Sequence, residues 1–235
     1  MIRQIFVADE FSLLPSRGLE AQKIRALYRA YGTRFDFCRF YCQGRSFLAV
    51  LDSGAVLCSE VDADFSEWAN FMCACGIKDV FCSAEASREF VSGGFGECVE
   101  HNIMKFNGKL IAEPAIVTDP TLSEVYAIIR EGFNIPIEQW YLDISHRTRH
   151  EISKCCTLDG VSALIIQHDF NGEALLSQVA TIPAARGRGT ATRLVRGVAS
   201  LLSPSEVYVV CEDELVPFYL GCGFLDCGKK CTVYF

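Results

Sequence analysis

No apolar run in this 235-residue chain approaches the length needed to span a bilayer. The N-terminus, Met1-Ile2-Arg3-Gln4-Ile5-Phe6-Val7, lacks the succession of charged, apolar and small residues that marks a secretion signal. Both absences point to a cytoplasmic protein with no membrane partner. Positive charge is in short supply too, with 22 Lys and Arg against 29 Asp and Glu and a net charge of −7. Such a balance argues against nucleic acid or an anionic membrane surface as the main partner. It is compatible with a cationic amine. Histidine is scarce, at His101, His146, His150 and His168, and no Cys-x-x-Cys pair occurs among the 13 cysteines. Cys73-x-Cys75 and Cys227-x-x-x-Cys231 have no histidine at ligand spacing, so no metal site is expected. In a reducing compartment most of the cysteines read as small buried hydrophobes. His146 and His150, four apart on a helix, lack the adjacent Glu of a zinc-protease motif and read as a surface pair. His168 reads as an exposed residue at a hairpin end.

What is present is a large core: half of the residues are hydrophobic and 22% are charged. The chain is organised around Leu175–Leu202. Leu175–Ile182 reads as a strand apolar enough to be covered on both faces, and Pro183 ends it. A turn follows, Arg186-Gly187-Arg188-Gly189-Thr190-Ala191. Then Ala191, Leu194, Val195, Val198, Leu201 and Leu202 share one helical face. A strand that passes through a glycine-rich turn into a helix gathers free N–H groups and dipole charge at one point, an anion site. Two phosphate motifs fail there. No Gly-Lys-Ser/Thr follows the glycines, and counting Gly-x-Gly-x-x-Gly from Gly187 puts Thr192 where the third glycine belongs.

What fits is Arg186-x-x-Gly189-x-Ala191, preceded by Pro183-x-x-Arg186. Further on, the strand-like Val207–Val210 leads to Phe218-Tyr219-x-x-x-Gly223-Phe224. The two motifs at this separation resemble those of the GNAT superfamily of acetyl-CoA-dependent N-acetyltransferases, over roughly residues 115–235. The resemblance implies an acetyl-CoA co-substrate and direct transfer of its acetyl group to a primary amine of a small molecule or amino-acid-like acceptor. It implies that strand amides near Val179, Ala180 and Thr181 hold the pantetheine arm and the carbonyl. The turn amides of Gly187, Arg188, Gly189, Thr190 and Ala191 would hold the pyrophosphate, with Arg186 and Arg188 adding charge. Tyr219 would be the general acid. No base is assigned: the slot that relatives fill with Glu holds Leu175 here, so Glu173, two residues earlier on the same face, and Glu212 remain weak candidates. A non-catalytic acyl-CoA-binding or regulatory module is the main alternative, and a purely structural use of the fold is a third.

The first half repeats the order of elements. Leu19–Tyr31 reads as a helix, Phe37–Tyr41 and Ser46–Val50 as a hairpin over Gln43-Gly44-Arg45, Ala55–Ser59 as a strand and Asp64–Ala74 as a helix. Val80–Cys82, Glu85–Val91 and Glu97–Phe106 then read as strand, helix and strand. Lys78–Cys82 and Phe90–Phe95 align without gaps on Val207–Cys211 and Tyr219–Phe224, with Phe90 in the slot of Tyr219. This predicts a duplication: an α/β fold in two related halves, each a mixed sheet flanked by helices, divided as 1–112 and 113–235. The turn before Asp64 carries Glu60 and Asp62 in place of glycines and arginine, so the first half is expected to bind no cofactor. It would shield apolar surface or wall the acceptor site. In the second half, Thr121 opens a helix through Arg130 with a capping box, Glu138–Arg149 is a second helix, and Ile152–Thr157 and Val161–Gln167 form a hairpin over Leu158-Asp159-Gly160. The resemblance implies that the loop between these helices shapes the acceptor pocket, and here it carries Phe133–Pro136, a mostly apolar lip. A monomer or a homodimer is expected.

Overall fold

The computed structural model describes the whole of Met1–Phe235. The first half runs β1 (Arg3–Gln4), α1 (Leu19–Tyr31), β2 (Cys38–Gln43), β3 (Ser46–Leu51), β4 (Gly54–Cys58), α2 (Phe65–Ala74), β5 (Asp79–Ser83), α3 (Ala84–Ser92) and β6 (Glu97–Phe106). The second runs β7 (Ile116–Val117), α4 (Leu122–Ile129), α5 (Ile137–Arg149), β8 (Lys154–Leu158), β9 (Ser162–Phe170), β10 (Glu173–Thr181), α6 (Thr190–Leu201), β11 (Glu206–Cys211), α7 (Val216–Gly221) and β12 (Phe224–Tyr234). No helix is long and apolar enough to cross a membrane.

The chain forms two compact units, Met1–His101 with Lys229–Phe235, and Asn102–Gly228. In the first, strands follow the order β1-β2-β3-β4-β5 and then the end of β12. In the second the order is β7-β8-β9-β10-β11 and then the end of β6. The senses match strand for strand. β4 and β5 are parallel, as are β10 and β11, while the last strand is antiparallel in both, Cys231 facing Cys82 and Met104 facing Val209. The α/β fold in two related halves is therefore present.

The divisions at 101/102 and 228/229 differ from a single boundary at 112/113, because each unit takes its last strand from the other repeat. Alternation in Glu97–Phe106 marks a strand but does not name its neighbour. β12, β1 and the short 3₁₀ turn Ala8–Leu13 have no counterpart among the elements expected from sequence.

In the second unit, α6 covers one face of the sheet, setting Leu194, Val195 and Val198 on Leu176, Val207 and Val209. α4 and α5 cover the other, setting Val125, Ile129, Trp140 and Ile144 on Cys155, Ala163 and Ile165. Each such aliphatic side chain contributes about 1.5–3 kcal/mol by leaving water. Thr121 caps α4 with Glu124 reaching back, the capping box expected from sequence. Asp159 and Gly160 both have positive φ, 53° and 65°, as a type I′ turn requires. At Gly197 a Cβ would lie 2.8 Å from Glu113 Cβ and 2.5 Å from Ile116 Cδ1, so glycine there lets the crossing segment, Lys109–Ala115, close on α6. All 13 cysteines are free and eight are buried, in keeping with their reading as hydrophobes. His168 corrects the expectation of exposure. It is 1% exposed, because β9 runs on to Phe170 and His168 faces Leu175 across the ladder. His146 and His150 pair at the end of α5, their rings 4.4 Å apart.

Candidate active site

The site begins where β10 loses its partner. β10 pairs with β11 only from Glu173↔Glu206 to Leu176↔Val209. Beyond that point β11 continues to pair with β6, as Val210↔Ile103 and Cys211↔Asn102, while Ser177–Thr181 has no ladder on the β11 side. Against β9 the register also breaks, from Ser177↔Ile165 to Ala180↔Ala163. Two residues of β10, Gln178 and Val179, there oppose the single Leu164, which defines a β-bulge. The bulge resets the alternation: Ala174, Leu176 and Val179 serve the α6 core, whereas Ala180 serves the α4/α5 core. Gln178 has a φ of 49°, a left-handed conformation uncommon for a residue with a Cβ. Backbone N–H and C=O groups without a ladder need other partners, and an extended amide-bearing ligand arm lying between the strands would supply them.

At the end of β10 stands the glycine turn. Gly187 and Gly189 both take positive φ, 75° and 77°, and nothing lies within 4 Å of a Cβ at either. Gly189 is the N-cap of α6 and offers no side chain to its first N–H groups, and the first turn has no acidic residue. The positive end of a twelve-residue helix is thus open to an outside anion. Arg188 is exposed beside it. Arg186, by contrast, is held by the protein: its Nε donates to Thr181 O at 3.0 Å and its Nη2 to Glu131 O at 2.8 Å. It therefore staples the turn to the end of β10 and to the segment just after α4, through neutral carbonyls that leave its positive charge uncompensated. Arg193, one turn into α6, forks onto Glu113 at 2.8 and 3.0 Å and meets Asp159 at 3.1 Å, fixing the helix start to the crossing segment and to the β8–β9 turn. The residues present fit a pyrophosphate and a pantetheine arm.

Tyr219 lies on α7, 6% exposed, with its ring 5.0 Å from Phe218 and 5.6 Å from Phe224. Burial raises its pKa above the ordinary phenol value, and nearby Cys211 and Cys222 add to the rise. The Asn102 amide donates to Asp213 Oδ1 at 2.7 Å, holding the turn between β11 and α7. Glu173 is buried and sits at the start of the β10–β11 ladder, three positions before the splay, roughly 10 Å along the strand. The neighbouring Tyr208 hydroxyl donates to Glu206 Oε2 at 2.8 Å, and Lys105 Nζ meets Glu206 Oε1 at 2.6 Å. Glu212 is exposed beyond the end of β11 and caps nothing. The structure thus brings Val179, Ala180, Thr181 and the turn 186–191 onto one strand–turn–helix unit, places Tyr219 on the helix after β11, and sets Glu173 and Glu212 apart from each other.

Sequence reasoning missed Gln178 and Trp140, whose Nε1 donates to Gln178 Oε1 at 2.8 Å. The signal was Ser177-Gln178, a polar pair inside an otherwise apolar strand.

No protein-family model matches the chain, and no curated protein sequence does. Solved structures do match in fold. A GCN5-related N-acetyltransferase from Kribbella flavida superposes with a TM-score of 0.65 at 13% identity, over 92% of this chain and 93% of its own. A GCN5-related N-acetyltransferase from Sphaerobacter thermophilus gives 0.59 at 14%, over 90% and 84%. A tandem GNAT protein from the clavulanic acid biosynthesis pathway gives 0.56 at 12%, over 99% and 97%. At these identities the likeness is one of fold.

Proposed function

From the tandem GNAT fold and this site, we propose that the unit Asn102–Gly228 transfers the acetyl group of acetyl-CoA to a primary amine of a small molecule or amino-acid-like acceptor, directly and in a ternary complex. The observation that carries the reading is the splay of β10 from β11 opening toward a helix start without a cap. Acetyl-CoA, when bound, supplies an acyl group activated as a thioester. The protein's part is to bind, orient and move protons. Backbone N–H groups of Gly187–Ala191 and the Arg188 guanidinium hold phosphate charge, while the unpaired edge Ser177–Thr181 takes the amide-bearing arm.

Tyr219 is the proton donor for the leaving thiolate. Its raised pKa keeps the phenol protonated across the working pH range. A thiol has a pKa of about 8.5, so full transfer from a buried phenol is uphill. The hydroxyl then acts chiefly as a hydrogen-bond donor, which sets its contribution at the low end of the general-acid range of about 10²–10⁴. An amine must lose a proton to attack. Glu173, about 10 Å along the strand from the splay, would accept it only through water, so no direct base is assigned.

Calorimetry with acetyl-CoA tests the first half of the reading, with one equivalent per chain expected. Thiol release against a panel of primary amines tests the second. Failure to bind overturns the site. Binding with no thiol release from any amine leaves a non-catalytic acyl-CoA module.

A further inference from the structure

The β10 bulge is held from outside the strand. Gln178 keeps a left-handed backbone, φ 49°, in the middle of the segment that lacks a β11 partner. Its side-chain oxygen accepts the indole N–H of Trp140 at 2.8 Å. Trp140 lies on α5, 3% exposed, among Val125, Ile129, Ile144 and Ile165. Its ring meets that of Tyr126 at 5.3 Å, and the Tyr126 hydroxyl donates to Ile135 O at 2.9 Å. Ile135 belongs to the loop Phe133–Pro136, whose Phe133 and Ile135 pack on the same cluster. A continuous path of two hydrogen bonds and one ring contact therefore joins this apolar loop to the bulge.

A buried indole donor needs an acceptor, and a non-glycine residue in the left-handed region needs its surroundings to hold it there. Each answers the other here. We propose that Trp140 is a positioning residue for acyl transfer: through Gln178 it fixes the bulge that aims the unpaired β10 backbone at the acyl group, and through Tyr126 it ties that aim to the loop that receives the acceptor. This rests on the acetyltransferase reading. It predicts that Trp140 acts on turnover and not on phosphate binding, since the glycine turn and α6 are untouched.

Three variants test it. Trp140→Phe keeps a ring and removes the donor. Gln178→Gly removes the acceptor at a φ that glycine adopts freely. Ile144→Ala thins the same cluster without touching the path. Acetyl-CoA affinity by calorimetry should fall by no more than about threefold in the first two, because the contacts of the glycine turn and α6 stay intact and the backbone that takes the arm is displaced without being removed. Their kcat should fall about tenfold, short of the about 10² that a 1 Å misplacement costs. The double variant should lose no more than either alone, because both break one interaction. Ile144→Ala should lower stability with kcat within about twofold of wild type. A readout independent of turnover is the indole N–H resonance. The chain has two tryptophans, Trp68 and Trp140, and Trp140→Phe assigns them. Saturating acetyl-CoA should move the Trp140 resonance. If no amine is acetylated by wild type, the transferase reading fails and this resonance alone decides the positioning role. An indole signal unmoved at saturation, or kcat losses that multiply in the double variant, would overturn the proposal. Should Trp140→Phe fail to fold, Gln178→Gly carries the same test, with Trp140's resonance expected to shift on loss of its acceptor.

Discussion

Asp64 is the N-cap of helix α2 and Gly189 that of helix α6, and the two turns stand at the same place in two matching strand orders. At the first, the Asp64 carboxylate accepts the N–H of Glu67 at 2.8 Å and Gln43 Oε1 accepts the N–H of Asp64 at 3.0 Å. The helix start is closed by the protein's own oxygens, with Glu60 and Asp62 just before it. At the second, left-handed Gly189 brings no side chain, and no acidic residue sits in the first turn. One dipole end is satisfied internally and the other is open to an outside anion. The same contrast recurs after the next strand. Phe90 and Tyr219 each follow a buried cysteine by eight residues and precede a left-handed glycine and a phenylalanine, Gly94-Phe95 and Gly223-Phe224. Both rings are buried, but only Tyr219 carries a hydroxyl. The halves share the scaffold and differ at the two points where charge and proton would be handled.

The largest effect should come from erasing that second difference. Tyr219→Phe turns the second half toward its sibling while keeping the ring against Phe218 and Phe224. Steady-state kinetics should show kcat about 10²-fold lower, with acetyl-CoA affinity nearly intact. Wild-type turnover would leave Tyr219 as a core residue. Next comes the first difference. Gly189→Asp gives α6 a carboxylate cap like that of α2 and adds strain at φ 77°. No atom lies within 4 Å of the new Cβ, so charge and backbone strain, not a clash, set the outcome. Acetyl-CoA affinity measured by calorimetry should fall at least tenfold, about 1.4 kcal/mol. Unchanged affinity in a folded variant would remove the pyrophosphate assignment.

Much of this comparison was legible in the residues, because local signals act over a few positions. Gly187 and Gly189 announce left-handed turns, Thr121 and Glu124 a capping box, and Asp159-Gly160 a type I′ turn. The helix Leu19–Tyr31 and the strand Glu97–Phe106 keep their bounds in the fold. What was not legible depends on partners far apart in sequence. Nothing in Lys229–Phe235 says that it pairs with β5. His168 looked like a hairpin end until the bulges of β10 and the length of β9 drew it into the ladder. The motif names Arg186, but not the carbonyls of Thr181 and Glu131 that hold it, the latter 55 positions away. The bulge at Gln178 needs Trp140, 38 residues upstream, to make sense of it.

A smaller effect sharpens the comparison from the other side. Asp64→Ala removes the cap of α2 and should cost about 1 kcal/mol in urea unfolding. Acetyl-CoA should still bind with one equivalent per chain. A second equivalent in this variant would show that the carboxylate alone was hiding a site, and the two turns would then be more alike than their residues suggest.

The smallest expected effect is a pH dependence at the α2 start. Glu67 lies in the first turn of α2, where its carboxylate accepts the N–H of Ile2 at 2.9 Å and the Gln43 amide at 2.6 Å, and meets the N-terminal ammonium at 3.2 Å. The Ile2 N–H lowers its pKa most, followed by the Gln43 amide and then the N-terminus. A carboxyl with a lower pKa folded than unfolded binds fewer protons in the native state. Its contribution is therefore fully present above the unfolded value of about 4.3 and fades as pH falls through the folded value. Glu67→Gln should lower the urea midpoint at neutral pH by a small amount, since the group is half-buried and solvent still screens it. The gap between variant and wild type should narrow progressively below about pH 4.3. α6 offers no counterpart, because its first turn has no carboxylate to titrate. A gap that stays constant to the acid limit would mean that Glu67 acts by packing alone, and the contrast between a closed and an open helix start would then rest on Asp64 and Gly189 without it.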